Sequence, residues 1–536
     1  MKKNILIIIT IFSILLSCKE KTSPNHSDSL KAKKLSKRDY SITKENAYND
    51  IFLDSSAVDD YIKNNKLSDS TSRRIRSFYN TRNYEFAWFS SDGLSEQAMG
   101  FTSLKKFSGD TSAKQKKLKK IMDDFMGDSS LIGTSTNKSI VNTELLLTEN
   151  LINFSLSNFE KGYLKRKELE RFIPFKKTDP IVLADSLLNK KHKDDKYFSD
   201  IDEPYKLLAE ELRKYVAIAK NGSWPKIEGN PKDFKEGKSS AQISSMKKML
   251  MLTGDMQQAD SNGLFDENLK NGIKIFQTRF GFTPDGKMTA SVLAEMELPA
   301  IERIKQILIN MNRMRWMPQK PSGKLIVVNI PAFMLNVYDG KNKVFSMPVV
   351  VGKEGHNTTL FSDLLTTIVF SPYWNVPPSI VKTEIVPGMK KNTNYLEDHD
   401  MEITGTENGL PVVRQKPGPK NSLGEVKFLF PNVFNIYFHD TPAKSLFNKD
   451  VRAYSHGCIR LSDPLKLADY LLKDNPIWTS EKIDSAMNSG KEQFVSVKDP
   501  IRVFITYYTA WVDENNLLNF RNDIYGHDKN VANKMF

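Results

Sequence analysis

The chain holds two cysteines in 536 residues, and the second lies in the stretch AYSHGCIRLSDP, 453–464. His456 stands two positions before Cys458, with Gly457 between them, and Arg460 follows two positions after. Nineteen residues upstream of the thiol, His439 ends the run NVFNIYFH. A thiol with the reference pKa of about 8.5 is mostly protonated at neutral pH. A nearby imidazole can take its proton or hold the thiolate as an ion pair, which makes a nucleophile of it. Gly457 lets the backbone approach closely, so amides near Cys458 are placed to donate to a developing oxyanion. Two other readings compete. Free cysteine is among the most buried residue types, but a core position does not account for the flanking His-Gly or for Arg460. A zinc site from His439, His456 and Cys458 lacks a second Cys pair or a His-x-x-x-His helix. A Cys-His acyl-transfer site fits best, with His439 and His456 both open as the base. No cofactor or metal is expected.

These residues need strands and turns to hold them. Tyr437 falls on the same strand face as His439 by alternation. LSDPLKLADYLL begins a helix, with Asp463 as its N-cap and Pro464 at its first position. KLIVVNIPAFMLNVYD, KVFSMPVVVGK, LLTTIVFSPYWNVP and PIRVFITYYTAWVD are β-branched and aromatic runs bounded by Gly, Pro and Asp, so the domain over 321–513 is β-rich. Its polar, Pro- and Gly-containing excursion at about 381–426 has the size of a lid. Upstream, apolar spacing is mostly helical over 46–235, a scaffold whose aromatics are core. Three helices with Gly-rich turns follow over 236–298, with Phe265, Leu269, Ile273 and Phe276 at helical spacing. A connecting helix lies within 299–320, and 514–536 reads as a C-terminal tail. The fold class is multidomain α+β.

The N-terminus bears on Cys458 as well. MKKNILIIITIFSILLSC opens with two lysines and an apolar run too short to span a bilayer comfortably. It reads as a signal peptide over 1–17, and LLSC resembles the lipobox of bacterial lipoproteins. That resemblance implies acylation of Cys18, a flexible linker over 18–45, and a lipid-anchored protein facing the periplasm. Cys458 would then have no disulfide partner. The formal charge of +14 comes from dispersed Lys and Arg mixed with acids. No basic stripe with interleaved aromatics appears, so nucleic acid is not the expected partner.

FHDTPAKSLFNKDVRAYSHGCIRLSDP (438–464) resembles the signature of the L,D-transpeptidase catalytic domain of the YkuD type. SPYWNVPPSI (371–380), RQKPGPKNSLGEVKFLFPN (414–432), YYTAWVD (507–513) and the long His-to-Cys gap are similar to the large YcbB type. GLFDENLKNGIKIFQTRFGFTPDGKMTASVL resembles the peptidoglycan-binding type 1 module. The resemblance implies attack by Cys458 on the bond before the terminal D-Ala of a tetrapeptide stem. A thioester forms, and the side-chain amine of a second stem takes the acyl group to give a 3→3 cross-link. It implies His439 as general base and acid, and His456 and Gly457 as shapers of the nucleophile loop. Tyr437 and Trp374 would line the cleft, and Arg460, by charge and position, would pair with a stem carboxylate. Water as acceptor would make the enzyme an L,D-carboxypeptidase, and protein amines would make it a wall-attaching enzyme. A non-catalytic wall-binding scaffold is the reading from a different class.

Overall fold

The computed structural model describes residues 35–107, 112–127, 132–158, 173–188, 203–257, 262–316 and 323–536. The expected signal peptide and Cys18 lie outside the described residues. The first helices start where short polar side chains can satisfy free backbone N–H groups. Asp54 accepts from Ser56 N ahead of α1 (Ser55–Asn64), Ser68 from Thr71 N ahead of α2 (Asp69–Asn80), and Ser95 from Ala98 N ahead of α3 (Glu96–Lys106). Phe86, Trp88 and Phe89 are fully buried between these helices and α4 (Lys138–Asn158), so the aromatic run is core. The expected linker ends earlier than its composition suggests. Asp39 N donates to Asn80 O at 2.9 Å and Ile42 is completely buried, so this end of it is packed scaffold.

The three-helix module follows as α5 (Ala241–Leu252), α6 (Glu267–Phe280) and α7 (Ala290–Glu297). Phe265, Leu269, Ile273 and Phe276 are buried in it, as their spacing requires. Its core is continuous with that of α8 (Ala300–Met314) and of the segment 510–520. Arg279 Nε donates to Leu518 O at 2.7 Å, and Arg521 returns a hydrogen bond to Arg279 O at 2.6 Å. The module is thus docked on the segment that follows the β-rich domain.

The β-rich domain is built on a nine-stranded sheet among the described residues. Its strands are β1 (Lys324–Asn329), β2 (Met334–Asp339), β3 (Asn342–Gly352), β4 (Phe361–Phe370), β5 (Val426–Leu429), β6 (Phe438–His439), β7 (Ala453–Ser455), β8 (Ile459–Leu461) and β9 (Gln493–Thr506). The order is β7-β3-β8-β6-β5-β4-β9-β1-β2, and β2 also pairs with β3, which closes the sheet on itself. The wrapped faces enclose Ile326, Val328, Leu335, Val349, Ile368, Phe428, Phe438 and Ile459, all fully buried. The lid has its own small three-stranded sheet, Trp374–Asn375 with Met401–Glu407 and Leu410–Gln415, and a separate apolar cluster around Val381, Ile385 and Val413.

The C-terminal segment is not a tail. A strand at Leu518–Phe520 and a helix at His527–Met535 pack back onto α8 and the scaffold. The buried Arg313 is the junction: its Nε lies 2.9 Å from Glu96 of the scaffold, and its Nη1 is hydrogen-bonded to Asp528. Composition misses this because the segment is polar, and its polar groups are used in ion pairs. Removing one partner of a buried pair leaves the other charge uncompensated, at about 3 kcal/mol or more. Arg313→Met is therefore expected to lower the urea midpoint of the full chain markedly, while the surface variant Lys226→Met leaves it within error.

Candidate active site

Cys458 lies in the turn between β7 and β8, and several groups outside that turn fix it. Gly457 has φ of 110°, a backbone that side-chain-bearing residues rarely adopt. Its N–H donates to Ser455 Oγ at 3.1 Å, and Ser455 Oγ donates to Cys458 O at 2.5 Å. Thr358 Oγ1 donates to Gly457 O at 2.8 Å, while Tyr525, from the supposed tail, donates to Gly352 O at 2.6 Å. The Gly457 amide is thus committed within the turn. The Cys458 amide has no hydrogen-bond partner among the described residues, and it is the donor left for an oxyanion. Asp463 caps the following helix, Pro464–Leu472, by accepting from Lys466 N at 3.2 Å, as the sequence requires.

β6 runs parallel to β8, with Phe438 opposite Ile459 and His439 opposite Arg460. Continuing that register sets Tyr437 beside Cys458, and Ile459 N donates to Tyr437 O at 3.1 Å. Alternation then turns Tyr437, His439, Cys458 and Arg460 to one face of the sheet. The Tyr437 and His439 rings are 5.8 Å apart. The thiol donates to the carbonyl of Asn435 at 3.7 Å. Asn435 has φ of 53°, and the Asn432 side chain shapes its loop by binding Phe430 O, Ile436 O, Phe434 N and Ile436 N.

The two histidines differ in burial and in what holds their rings. His439 is 4 % exposed, and its Nδ1 donates to Asp440 O at 2.5 Å. A carbonyl can only accept, so Nδ1 carries the hydrogen and Nε2 is free to take a proton. Burial, reinforced by the Arg460 charge, pushes the His439 pKa down to about 3, against the favourable Asp440 and Leu423 carbonyls. The Asp440 carboxylate plays no part at the ring. It binds Lys444 Nζ at 2.5 Å and Glu425 N at 3.0 Å. His456 is exposed and faces the lid, with Nε2 3.2 Å from Glu384 Oε1 and its ring edge-on to His356 at 4.8 Å. Burial lowers its pKa, opposed by Glu384. Cys458 keeps some exposure, yet burial pushes its thiol up, opposed by hydrogen bonding from Tyr437 and the charge of Arg460. The resting pair is therefore a neutral thiol and a neutral imidazole.

Trp374 packs half-buried on the lid cluster. Asn435, Thr358, Tyr525 and Glu384 were not singled out by sequence. The Asn-rich PNVFN turn was a usable signal for the first; the others act across long separations.

Residues 323–503 match the family described as "L,D-transpeptidase catalytic domain". Residues 239–296 match a "Putative peptidoglycan binding domain", and 73–212 match a "Scaffold domain". The chain carries an L,D-transpeptidase catalytic domain. It is 32 % identical over 243 residues to a "Putative L,D-transpeptidase" of Haemophilus influenzae, a match covering 42 % of this chain. The chain spans about half, 49 %, of that relative's length. Among solved structures, an L,D-transpeptidase from Mycobacterium smegmatis is 17 % identical with a TM-score of 0.20, covering 34 % of this chain and 58 % of that one. L,D-transpeptidase 1 of Mycobacterium tuberculosis is 18 % identical with a TM-score of 0.16, covering 34 % and 62 %. At such overlap these structures add nothing to the sequence matches.

Alkylation of the catalytic domain's thiol by iodoacetamide tests the neutral pair. Its rate should inflect above the ordinary thiol range of about 8.5, with no step near pH 6.5 from His439. Tyr437→Phe should move the inflection higher still, since it removes a donor to the thiolate. An inflection near pH 6 would mean an ion pair instead.

Proposed function

We propose that the protein is a cysteine-dependent L,D-transpeptidase that forms 3→3 peptidoglycan cross-links. The observation that carries this is a buried His439, held through Nδ1 by the Asp440 carbonyl, on the same sheet face as Cys458. Sγ attacks the carbonyl between the third residue and the terminal D-Ala of a donor stem, while the thiol proton passes to His439 Nε2. The Cys458 amide is the available donor for the oxyanion. As the intermediate collapses, the C–N bond breaks, His439 gives its proton to the departing amine, and a thioester remains. The side-chain amine of a second stem then attacks the thioester. Its proton moves through His439 to the sulfur as the C–S bond breaks, restoring the thiol and forming the new amide. A neutral imidazole can take the first proton without first losing one, so the site is ready across the neutral range.

The peptidoglycan-binding match supports the substrate class, and the N-terminal pattern supports an acylated Cys18 that tethers the enzyme to a bacterial membrane on its periplasmic side. A palmitate-derived label on the wild type that disappears in Cys18→Ser is the expected result for that anchor.

The decisive experiment is mass spectrometry of tetrapeptide muropeptides incubated with the mature chain. Dimers lacking one D-Ala, with a 3→3 link on fragmentation, are expected. Tripeptide monomers alone would make water the acceptor and the enzyme a carboxypeptidase. Cys458→Ala should give no product at unchanged thermal melting. Activity in that variant would remove the thiol from the mechanism.

A further inference from the structure

Three neighbouring strands set Lys427, His439 and Arg460 side by side. Lys427 pairs with His439, and His439 pairs with Arg460. Directly opposed residues project to the same face of a sheet. A cation therefore flanks the base on each side, on the face that carries the thiol. The two cations are not equivalent. Lys427 Nζ donates to Tyr373 O at 3.2 Å and lies 3.7 Å from the Glu492 carboxylate. Arg460 makes no salt bridge among the described residues, and its Nε is buried without a hydrogen-bond partner. A guanidinium does not escape this by losing its proton. Holding it there unpaired costs desolvation that a bound anion would offset.

The chemistry of the leaving group says where that anion lies. His439 must protonate the departing amine, so that nitrogen comes within hydrogen-bond reach of the ring. In a D-Ala leaving group the carboxylate carbon is two bonds from the same nitrogen, about 2.5 Å away. The carboxylate is therefore carried to the immediate surroundings of His439, where Arg460 stands one strand over. A guanidinium fork matches a carboxylate in two parallel hydrogen bonds, which a lysine cannot do.

We propose that Arg460, with Lys427 as the second cation of the row, binds the terminal carboxylate of the departing residue and so confines cleavage to the last peptide bond of the donor. The assignment rests on the transpeptidase reading above and adds the group that selects its donor. A stem one residue longer would present a neutral amide to Arg460 in place of a carboxylate, and it would be a poor donor.

The same cation could meet a different carboxylate, the one on the side chain of the stem's third residue, so the donors must separate the two. The mature chain is assayed with three tetrapeptide donors: unmodified, amidated at the terminal D-Ala, and amidated at the third side chain. Release of D-Ala or its amide is followed by mass spectrometry. Wild type is expected to lose about tenfold or more in kcat/KM on the terminal amide, the size of one charge-assisted hydrogen bond. It should lose little on the side-chain amide. In Arg460→Gln the unmodified donor should fall to the level of the terminal amide, so that the ratio of the two approaches one. Arg460→Lys should retain an intermediate ratio, which a purely structural role would not produce. Equal wild-type rates on acid and terminal amide would overturn the assignment, as would a ratio that survives in Arg460→Gln. A loss confined to the side-chain amide would also overturn it. These comparisons stand on wild type and Arg460→Lys if Arg460→Gln does not fold. Failure of folded wild type to process any donor would overturn the transpeptidase reading, and this assignment with it.

Discussion

An imidazole that must stay neutral beside a thiol sets the terms for the rest of the site. Neutrality follows from burial, and burial demands that the ring's one N–H be satisfied. The Asp440 carbonyl does so at 2.5 Å. A carboxylate in that place would have stabilised the imidazolium and raised its pKa. The carboxylate of the adjacent Asp440 is turned away by strand alternation to Lys444 and the Glu425 amide. Arg460 pushes in the same direction as burial. The one group lowers the pKa of both side chains, since it also favours the thiolate of Cys458.

Such an arrangement works only if the nucleophile loop is held still, and its supports come from far along the chain. Thr358 and Tyr525 hold the Gly457 side of the loop. Arg452, just ahead of β7, donates to Val349 O and Phe333 O. Asp450 accepts from Thr283 Oγ1 of the three-helix module at 2.8 Å. The module is therefore tied to the approach of the catalytic loop as well as to the 518–521 segment. On the opposite side, Lys106 of the scaffold reaches Asp363 of β4 at 2.6 Å. Docked domains of this kind give a closed sheet a rigid surround.

The parts legible in the sequence were those written in local pattern. Strand runs, helical spacing of Phe265 through Phe276, the Asp463-Pro464 start and the His-Gly-Cys turn all depend on neighbours within a few residues. The choice between His439 and His456 was not legible from chemistry alone, because it depends on which strand β8 pairs with. Parallel pairing of β6 and β8 spans about twenty residues and joins His439 to Arg460. The fate of the last segment was hidden for the same reason. Arg313, Glu96 and Asp528 are more than two hundred residues apart in sequence and meet only in the fold. Nothing local in a polar C-terminus marks it as packed.

The second histidine shows how one fold can give two similar side chains different work. His456 sits beside Gly457, as close in sequence to the thiol as a base could be. Its ring is nonetheless turned out to Glu384, which lies in a short π-helical stretch, Val381–Ile385, of the lid. The lid base is tied to the end of β4 by the buried Asn421, which donates to Pro372 O, while Asn421 to Lys416 O and Gln415 to His399 O and Lys420 O hold the lid together internally. With its base fixed and its core self-contained, the lid meets the nucleophile loop through the Glu384–His456 contact. Protonating His456 would turn that contact into an ion pair, which is lid chemistry. Of the two rings, His439 alone is buried and held by a backbone carbonyl on the face that carries the thiol.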